Sequence, residues 1–155
     1  MTEASALTDP RLVSVDHRVV RHGRVNSLEE AATLRGVEPS AVIKTMVVRR
    51  SEDDYVFVLV PGDRVIDWPK LRDLLGERRL SMPDQDEALA VTGYARGTIT
   101  PFGSTNAWPV IADQRAADGS VSIGAGAAGV SITIEGSELV ETLGAEIADV
   151  TKIRD

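Results

Sequence analysis

The chain contains 155 residues, no cysteine and a formal net charge of −7 at pH 7. This length fits a single domain with its own core, and the lack of cysteine excludes disulfides, a thiolate nucleophile and cysteine-ligated metals. The negative charge argues against binding DNA or wrapping long RNA, although a few local cations suffice to hold one nucleotide end. We expect a cytoplasmic protein, because residues 1–15 do not resemble a signal peptide and no apolar run is long enough to span a bilayer.

The first part of the chain predicts little order before one well-marked helix. Residues 1–21 are expected to be a partly flexible N-terminal extension, and residues 22–155 the folded domain. Ser27 is typical of a helix N-cap, with Glu30 at the capping-box position. Gly36 then ends this helix in the left-handed conformation.

The next part predicts a hairpin and a second helix. Residues 43–49 and 55–60 read as antiparallel strands. The second strand is almost entirely apolar, which indicates a central strand covered on both faces. Asp67 is expected to cap a helix over residues 68–75, which ends before Gly76.

The remaining residues predict short strands and helices around one loop. In order they are a strand at 79–82, a helix at 83–90, a loop at 93–103, strands at 109–112, 120–123 and 130–134, a helix from Ser137 to Leu143, and a strand at 145–150. Interleaved strands and helices predict a single-domain, mixed α/β fold.

The loop segment Gly97–Gly103, GTITPFG, is the one best suited to contact a ligand. Pro101 fixes its own φ and moves Thr100 towards extended backbone. Glycine lets a ligand approach the main chain closely. We therefore expect amides and carbonyls of this loop to face outward, although for an isolated GxxxP a rigid β-turn is the better interpretation.

Conventional catalytic and cofactor motifs are missing from the sequence. Neither of the two histidines lies in an HExxH pattern, and there is no G-x-S-x-G elbow and no Walker loop. Gly124–Gly129 superficially matches a dinucleotide fingerprint, but residues 130–134 read as a strand where that motif requires a helix. We interpret the glycines as a tight strand connection that also lines a pocket. No metal and no cofactor are expected.

Lys44 and Asp113 are the charged candidates. Lys44 interrupts an apolar strand, where a solvent-facing lysine is the simpler interpretation. Alternatively, it holds a phosphate or carboxylate, with Arg18, Arg21 and Arg24 completing a basic patch. Asp113 ends a strand, where it caps a turn or orients an amine or hydroxyl.

Taken together, eight segments occur in an order that resembles the YbaK-type aminoacyl-tRNA deacylases. These proteins are free-standing relatives of the editing domain inserted in bacterial prolyl-tRNA synthetase. The resemblance covers roughly residues 22 to 150. Its segments are LEEAA (28–32), LRGV (34–37), VIKTMVV (42–48), VPGD (60–63), TGY (92–94), GTITPFG (97–103), IAD (111–113) and IGAG (123–126).

The resemblance implies a mixed sheet, partly closed into a barrel and flanked by short helices. It also implies hydrolysis of the ester that joins a small wrong amino acid, such as Ala, Ser, Cys or Pro, to the 3′ end of a tRNA. In this picture tRNA-Pro is the expected carrier and prolyl-tRNA synthetase a candidate partner. No metal and no covalent intermediate is implied.

The same resemblance assigns roles to individual residues. Lys44 approaches the terminal phosphate, and the backbone from Gly97 to Pro101 surrounds the ester carbonyl, the ribose hydroxyls and the attacking water. The implied catalytic set is Lys44, Gly97, Thr98, Ile99, Thr100 and Pro101. The implied substrate-binding set is Thr45, Phe102, Gly103, Asp113, Gly124, Ala125 and Gly126.

Two alternatives remain open from the residues alone. Because no conventional catalytic side chain is present, the pocket also suits a module that binds an aminoacyl or nucleotide end without hydrolysing it. A general esterase is the third candidate.

Overall fold

A computed structural model describes residues 3–23 and 25–154. Arg24, one member of the predicted basic patch, lies outside the described residues. The strands are β1 (Arg18–Arg21), β2 (Val42–Ser51), β3 (Asp54–Pro61), β4 (Arg64–Ile66), β5 (Val110–Asp113), β6 (Ser120–Gly124), β7 (Val130–Glu135), β8 (Glu146–Ala148) and β9 (Thr151–Ile153). The helices are α1 (Glu3–Leu7), α2 (Pro10–Val13), α3 (Leu28–Arg35), α4 (Trp68–Leu75), α5 (Gln85–Thr92) and α6 (Gly136–Thr142), with 3₁₀ turns at Pro39–Ala41 and Gln114–Ala117.

Among the described residues, seven strands form one mixed sheet in the order β1-β7-β6-β2-β3-β5-β8. The pairs β2–β3, β6–β7 and β1–β7 are antiparallel, whereas β2–β6, β3–β5 and β5–β8 are parallel. Strands β4 and β9 form a separate antiparallel pair. The predicted mixed α/β fold with flanking helices is thus confirmed, and so is the hairpin of β2 and β3.

Strand β3 separates two hydrophobic cores. Tyr55, Phe57 and Leu59 face a core shared with the N-terminal helices, the loop after α5 and α6. The alternate residues Val56 and Val58 face a second core against α4. Both sets are at most 4% exposed, so β3 is central and covered on both faces, as its apolar sequence predicts.

Local capping signals correctly predicted two helices. Ser27 Oγ accepts a hydrogen bond of 3.1 Å from the Glu30 amide at the start of α3, and Asp67 Oδ1 accepts one of 3.2 Å from the Lys70 amide at the start of α4. Such caps satisfy amides that have no partner within the helix.

The C-terminal elements differ from the predictions. Residues 79–82 form only an isolated bridge between Ser81 and Arg49. Helix α6 begins at Gly136 with Glu135 in the cap position, so Ser137 is inside the helix. The strand predicted at 145–150 is the shorter β8, and an unpredicted strand, β9, follows it and pairs with the equally unpredicted β4. Three-residue strands carry too little periodicity to be recognised in a sequence.

The N-terminal segment is part of the folded unit. The prediction of a partly flexible extension ending at residue 21 does not match the fold, because β1 pairs with β7 and Ala6 and Leu12 are fully buried in the first core. Asp9 caps α2, whose first residue is Pro10. The few apolar residues in this polar stretch are thus enough to attach it to the sheet.

This segment also binds the end of the loop after α5. Asp9 Oδ2 accepts a hydrogen bond of 2.8 Å from the Gly103 amide, and Arg11 Nη2 donates one of 3.0 Å to the Pro101 carbonyl. Asp9 and Arg11 form an ion pair of 2.8 Å in which the Asp9 side chain is only 8% exposed. We call this arrangement the Asp9–Arg11 clamp.

Opposing effects act on the pKa of Asp9. Burial alone raises it, but hydrogen bonds from the Arg11 side chain, the Gly103 amide and the Arg11 amide, together with the Arg11 charge, outweigh burial and lower it. The carboxylate therefore stabilises the fold above the pKa of an unfolded Asp, near 4, and this contribution is lost as the pH falls through the lower folded-state pKa.

Leu12→Ala is expected to lower the free energy of unfolding by about 2–5 kcal/mol, because it opens a cavity in the first core. Urea unfolding at pH 7 measures the effect. Val13→Ala is the matched control, since Val13 is 63% exposed, and we expect a change below about 0.5 kcal/mol. Equal stability of the two variants would support a loosely attached N-terminal segment instead.

Asp9→Asn is expected to lower the free energy of unfolding by about 1–3 kcal/mol at pH 7, because charge-assisted hydrogen bonds are lost. The difference from wild type is expected to be smaller at pH 3 than at pH 7, because the contribution of the carboxylate begins to be lost once the pH falls below the pKa of an unfolded Asp, near 4. Urea unfolding at both pH values provides the measurement, with the exposed Asp16→Asn as control. A difference that is the same at both pH values contradicts the account of Asp9.

Candidate active site

Strand register brings Lys44 close to the glycine-rich end of β6. Val42 pairs with Ser122 and Ile43 with Ile123, and the same register continued by one residue sets Lys44 beside Gly124. Paired residues point to the same face of a sheet. A Cβ added to Gly124 would lie 3.9 Å from the Ile99 carbonyl oxygen, so the loop passes close to this glycine. Lys44, Gly124 and the loop around Ile99 therefore meet at one end of the sheet.

The Lys44 ammonium is partly buried and is bound to a carbonyl. Its Nζ donates a hydrogen bond of 3.1 Å to the carbonyl of Arg64. Burial lowers the pKa of Lys44, the nearby charge of Arg154 lowers it further, and Asp63 opposes both. In the described part of the chain, Lys44 has no carboxylate within ion-pair distance. A desolvated cation without a counter-ion favours binding of an anion.

The first half of the loop is exposed and has free backbone donors. Gly97 is exposed and has a φ of 87°, in the left-handed region. The Thr98 amide donates to the Ala95 carbonyl at 3.0 Å and forms a turn. Within residues 3–23 and 25–154, the amides of Ile99 and Thr100 donate no hydrogen bond. Thr100 is fully buried, whereas Ile99 is partly exposed, so the Ile99 amide is the donor suited to bind an oxyanion or a phosphate oxygen.

The second half of the loop is packed inward, contrary to the prediction that the whole loop faces outward. Thr100 and Phe102 are fully buried. The Tyr94 hydroxyl donates a hydrogen bond of 2.7 Å to the Phe102 carbonyl, and burial, aided by the charge of Asp9, raises the pKa of Tyr94 to about 12. Tyr94 thus stays a neutral donor at physiological pH and holds the loop together with the Asp9–Arg11 clamp.

Thr45 and Lys44 are neighbours on β2 and so point to opposite faces of the sheet. Thr45 pairs with the core residue Leu59. Its hydroxyl is buried and has no partner among the described residues. An unpaired buried hydroxyl is a candidate for a hydrogen bond to a ligand or an ordered water, but it does not share a face with the ammonium group.

Three predicted substrate-binding residues are in positions that speak against this role. Phe102 and Ala125 are fully buried in the first core. Asp113 is also fully buried, and its Oδ1 accepts hydrogen bonds of 3.2 Å from the Val150 amide and 2.8 Å from the Thr151 hydroxyl. A buried carboxylate needs such partners to offset its desolvation. Asp113 therefore anchors the C-terminal strand and has no surface for a substrate.

Two further residues of the predicted substrate-binding set, Gly103 and Gly126, contribute to the structure through their backbone. The Gly103 amide is occupied by Asp9, so it is not free for a substrate. Gly126 has a φ of 88° and forms the connection between β6 and β7, as the interpretation of the glycines as a tight strand connection predicts.

Three shallow pockets lie elsewhere on the described residues. One of about 430 Å³ is next to Gly36, one of about 590 Å³ is next to Arg18 and Thr133, and one of about 400 Å³ is next to Trp108. Lys44 and residues 97–101 do not line these three pockets.

Within residues 3–23 and 25–154, no group of three His, Cys, Asp or Glu side chains is arranged to hold a metal ion. No helix in these residues has both the length and the apolar character to cross a bilayer.

Several curated proteins resemble this chain. The proposed Cys-tRNA(Pro)/Cys-tRNA(Cys) deacylase EbsC of Enterococcus faecalis is 25% identical over 81% of this chain and 77% of its own length. The proline–tRNA ligase of Desulforamulus reducens is 34% identical over 68% of this chain, and that of Thermosipho melanesiensis 32% identical over 64%. The matches span only 18% and 17% of these ligases.

Solved structures share the fold. A proposed trans-editing enzyme for prolyl-tRNA synthetase superposes with a TM-score of 0.83 at 25% identity, covering 95% of this chain and 92% of that one. The hypothetical protein APE2540 superposes with a TM-score of 0.84 at 24% identity, over 97% and 99% of the two chains.

The sequence model of the aminoacyl-tRNA editing domain matches residues 22–142. The resemblance to YbaK-type deacylases, drawn from ordered motifs, is confirmed by this match together with EbsC and the trans-editing structure. The expected enzyme class, an aminoacyl-tRNA deacylase, is confirmed at the level of the family. The chain therefore belongs to the family of aminoacyl-tRNA editing domains.

Proposed function

We propose that this protein is a trans-editing hydrolase that removes a small amino acid, such as Ala, Ser, Cys or Pro, from a mischarged tRNA, with tRNA-Pro as the main carrier. The proposal rests on an ammonium group without a counter-ion, Lys44, at the same end of the sheet as a loop in which the partly exposed Ile99 has an amide that donates no hydrogen bond. Membership of the editing-domain family supports it.

Lys44 has the role of holding the substrate. Its charge binds the phosphate that precedes the terminal adenosine, because this phosphate is the anion nearest to the aminoacyl ester. Partial burial strengthens such an interaction, since screening by water is reduced. Lys44 acts as a positioning cation and does not take part in proton transfer.

The loop has the role of stabilising the transition state. Water attacks the ester carbonyl carbon, and the amide of the partly exposed Ile99 donates to the oxygen that becomes negative. Each such donor is worth about 3 kcal/mol of barrier when it is fixed in advance. The free 2′-hydroxyl of the ribose orients the water. The carbon–oxygen bond to the ribose then breaks, and the proton released by the water goes to the leaving ribose oxygen.

The choice of tRNA is supported by the relatives. EbsC is named for Cys-tRNA(Pro) and Cys-tRNA(Cys), and two proline–tRNA ligases contain a matching segment. Because the net charge of −7 disfavours extensive RNA contacts, we propose that contact is limited to the aminoacylated 3′ end and that prolyl-tRNA synthetase helps to deliver it. This activity belongs in the cytoplasm, where tRNA is charged.

A binding module is the second candidate. It is favoured by one observation: Lys44 and residues 97–101 line none of the three pockets described above. Tight binding of a non-hydrolysable aminoacyl-adenosine without any turnover of mischarged tRNA selects this alternative. Measurable turnover excludes it.

Lys44→Ala is expected to lower kcat/KM for mischarged tRNA about 10- to 100-fold, because one charge-assisted contact is lost. Deacylation of Ala-, Ser- and Cys-tRNA(Pro) gives the measurement, with thermal unfolding to confirm the fold. Lys70→Ala is the control, since Lys70 pairs with Asp149 at the surface. Unchanged hydrolysis of every substrate by Lys44→Ala rules out this role for Lys44.

Gly97→Ala is expected to lower kcat at least about tenfold, because a small displacement of the free Ile99 amide is costly. A Cβ at Gly97 meets no atom within 4 Å, and the cost is strain at its positive φ. Gly119→Ala is the matched control, since Gly119 has a φ of 65° and equally open surroundings. Both variants should lose similar stability. Equal kcat values in these two variants would contradict the role of the loop.

A further inference from the structure

A second cation is held next to Lys44 by the same short connection between β3 and β4. Arg154 Nη2 donates a hydrogen bond of 2.8 Å to the Gly62 carbonyl, and the Arg154 amide donates one of 3.2 Å to the Asp63 carbonyl. Lys44 Nζ is bound to the Arg64 carbonyl, two residues further along. The guanidinium and the ammonium thus lie at opposite ends of one turn.

The two cations are held by carbonyl groups and not by carboxylates. Within the residues that the structure describes, neither forms an ion pair. Their repulsion adds to the effect of burial in lowering the pKa of Lys44, and the exposed Asp63 only partly opposes it. Two close positive charges without a counter-ion are stabilised when an anion binds to both.

The turn between the cations is fixed by close packing. A Cβ on Gly62 would lie 2.5 Å from the Pro39 carbonyl oxygen and 2.7 Å from Leu28 Cδ1, distances that no side chain tolerates. Gly62 is therefore packed closely against α3 and the following 3₁₀ turn. This packing fixes the position of the carbonyl that accepts the hydrogen bond from Arg154.

The position of Arg154 is also fixed by the pairing of the preceding strand, β9, with β4. Arg64 and Ile153 pair between β4 and β9, and Arg64 Nε donates a hydrogen bond of 2.7 Å to the Thr151 hydroxyl. That hydroxyl donates in turn to the buried Asp113. A chain of contacts thus runs from Asp113 through Thr151 to the strand that presents Arg154.

We infer that Arg154 and Lys44 together bind one phosphate group, the 5′-phosphate of the terminal adenosine of the substrate. Arg154 directly follows β9 and lies beyond residues 22–142, which match the family model. The identity of the phosphate rests on the proposed function, whereas the binding of a nucleoside monophosphate by the pair is testable without any turnover.

The test compares binding of AMP and adenosine by NMR titration at about 0.15 M NaCl. Wild type is expected to bind AMP more tightly than adenosine. Arg154→Ala is expected to weaken AMP binding about five- to tenfold, the loss of one partly exposed charged contact, and to leave adenosine binding unchanged. Arg154→Lys should retain part of the affinity. Lys152→Ala removes another exposed cation of β9 and should change AMP binding less than about twofold.

A second readout is the pKa of Lys44, followed through its side-chain resonances. It is expected to rise in Arg154→Ala, because a repelling charge is removed. Equal affinity of wild type for AMP and adenosine, or an equal effect of Arg154→Ala on both ligands, overturns the inference. Selective AMP binding by wild type with no deacylation of any mischarged tRNA contradicts the proposed hydrolysis and leaves the phosphate site standing.

Discussion

The Asp9–Arg11 clamp is the constraint on which the candidate site depends. It holds the buried end of the loop at Gly103 and Pro101, and the neutral hydroxyl of Tyr94 adds a third contact at Phe102. This end is packed in the core, while the partly exposed Ile99 beside it has an amide that donates no hydrogen bond within the described residues. Donors that are fixed before the reaction avoid the reorganisation that water would need.

The charged side chains at this end of the protein differ in the groups that contact them. The buried carboxylate, Asp113, accepts hydrogen bonds from Val150 and Thr151 and forms an ion pair of 3.1 Å with Arg115, whereas the cations Lys44 and Arg154 receive only carbonyl partners among the described residues. In the function proposed above, these two cations form a small positive site for one phosphate on a protein with a net charge of −7. Contact limited to the end of a tRNA would suit such a small acidic domain.

The parts of the fold that sequence predicts are those specified by nearby residues. The hairpin of β2 and β3 follows from apolar periodicity, and the ends of α3 follow from Ser27 and Gly36. The unpredicted parts depend on contacts between distant residues: Asp9 meets Gly103 across 94 positions, and Arg154 meets Gly62 across 92. Lys44 and the loop were recognisable only through ordered motifs. Nothing local to Asp113 distinguishes an anchor for a strand from a residue that binds a ligand.

The proposed hydrolysis depends on a main-chain amide that stabilises the negative oxygen of the transition state. NMR tests this through the chemical shift of the Ile99 amide proton in the presence of two aminoacyl-adenosine analogues. One analogue has a planar amide in place of the ester, and the other a tetrahedral, anionic phosphonate. The Ile99 amide proton is expected to shift strongly downfield with the phosphonate and little with the amide. An unchanged shift of this proton, with the phosphonate bound, would contradict the proposed role of the loop.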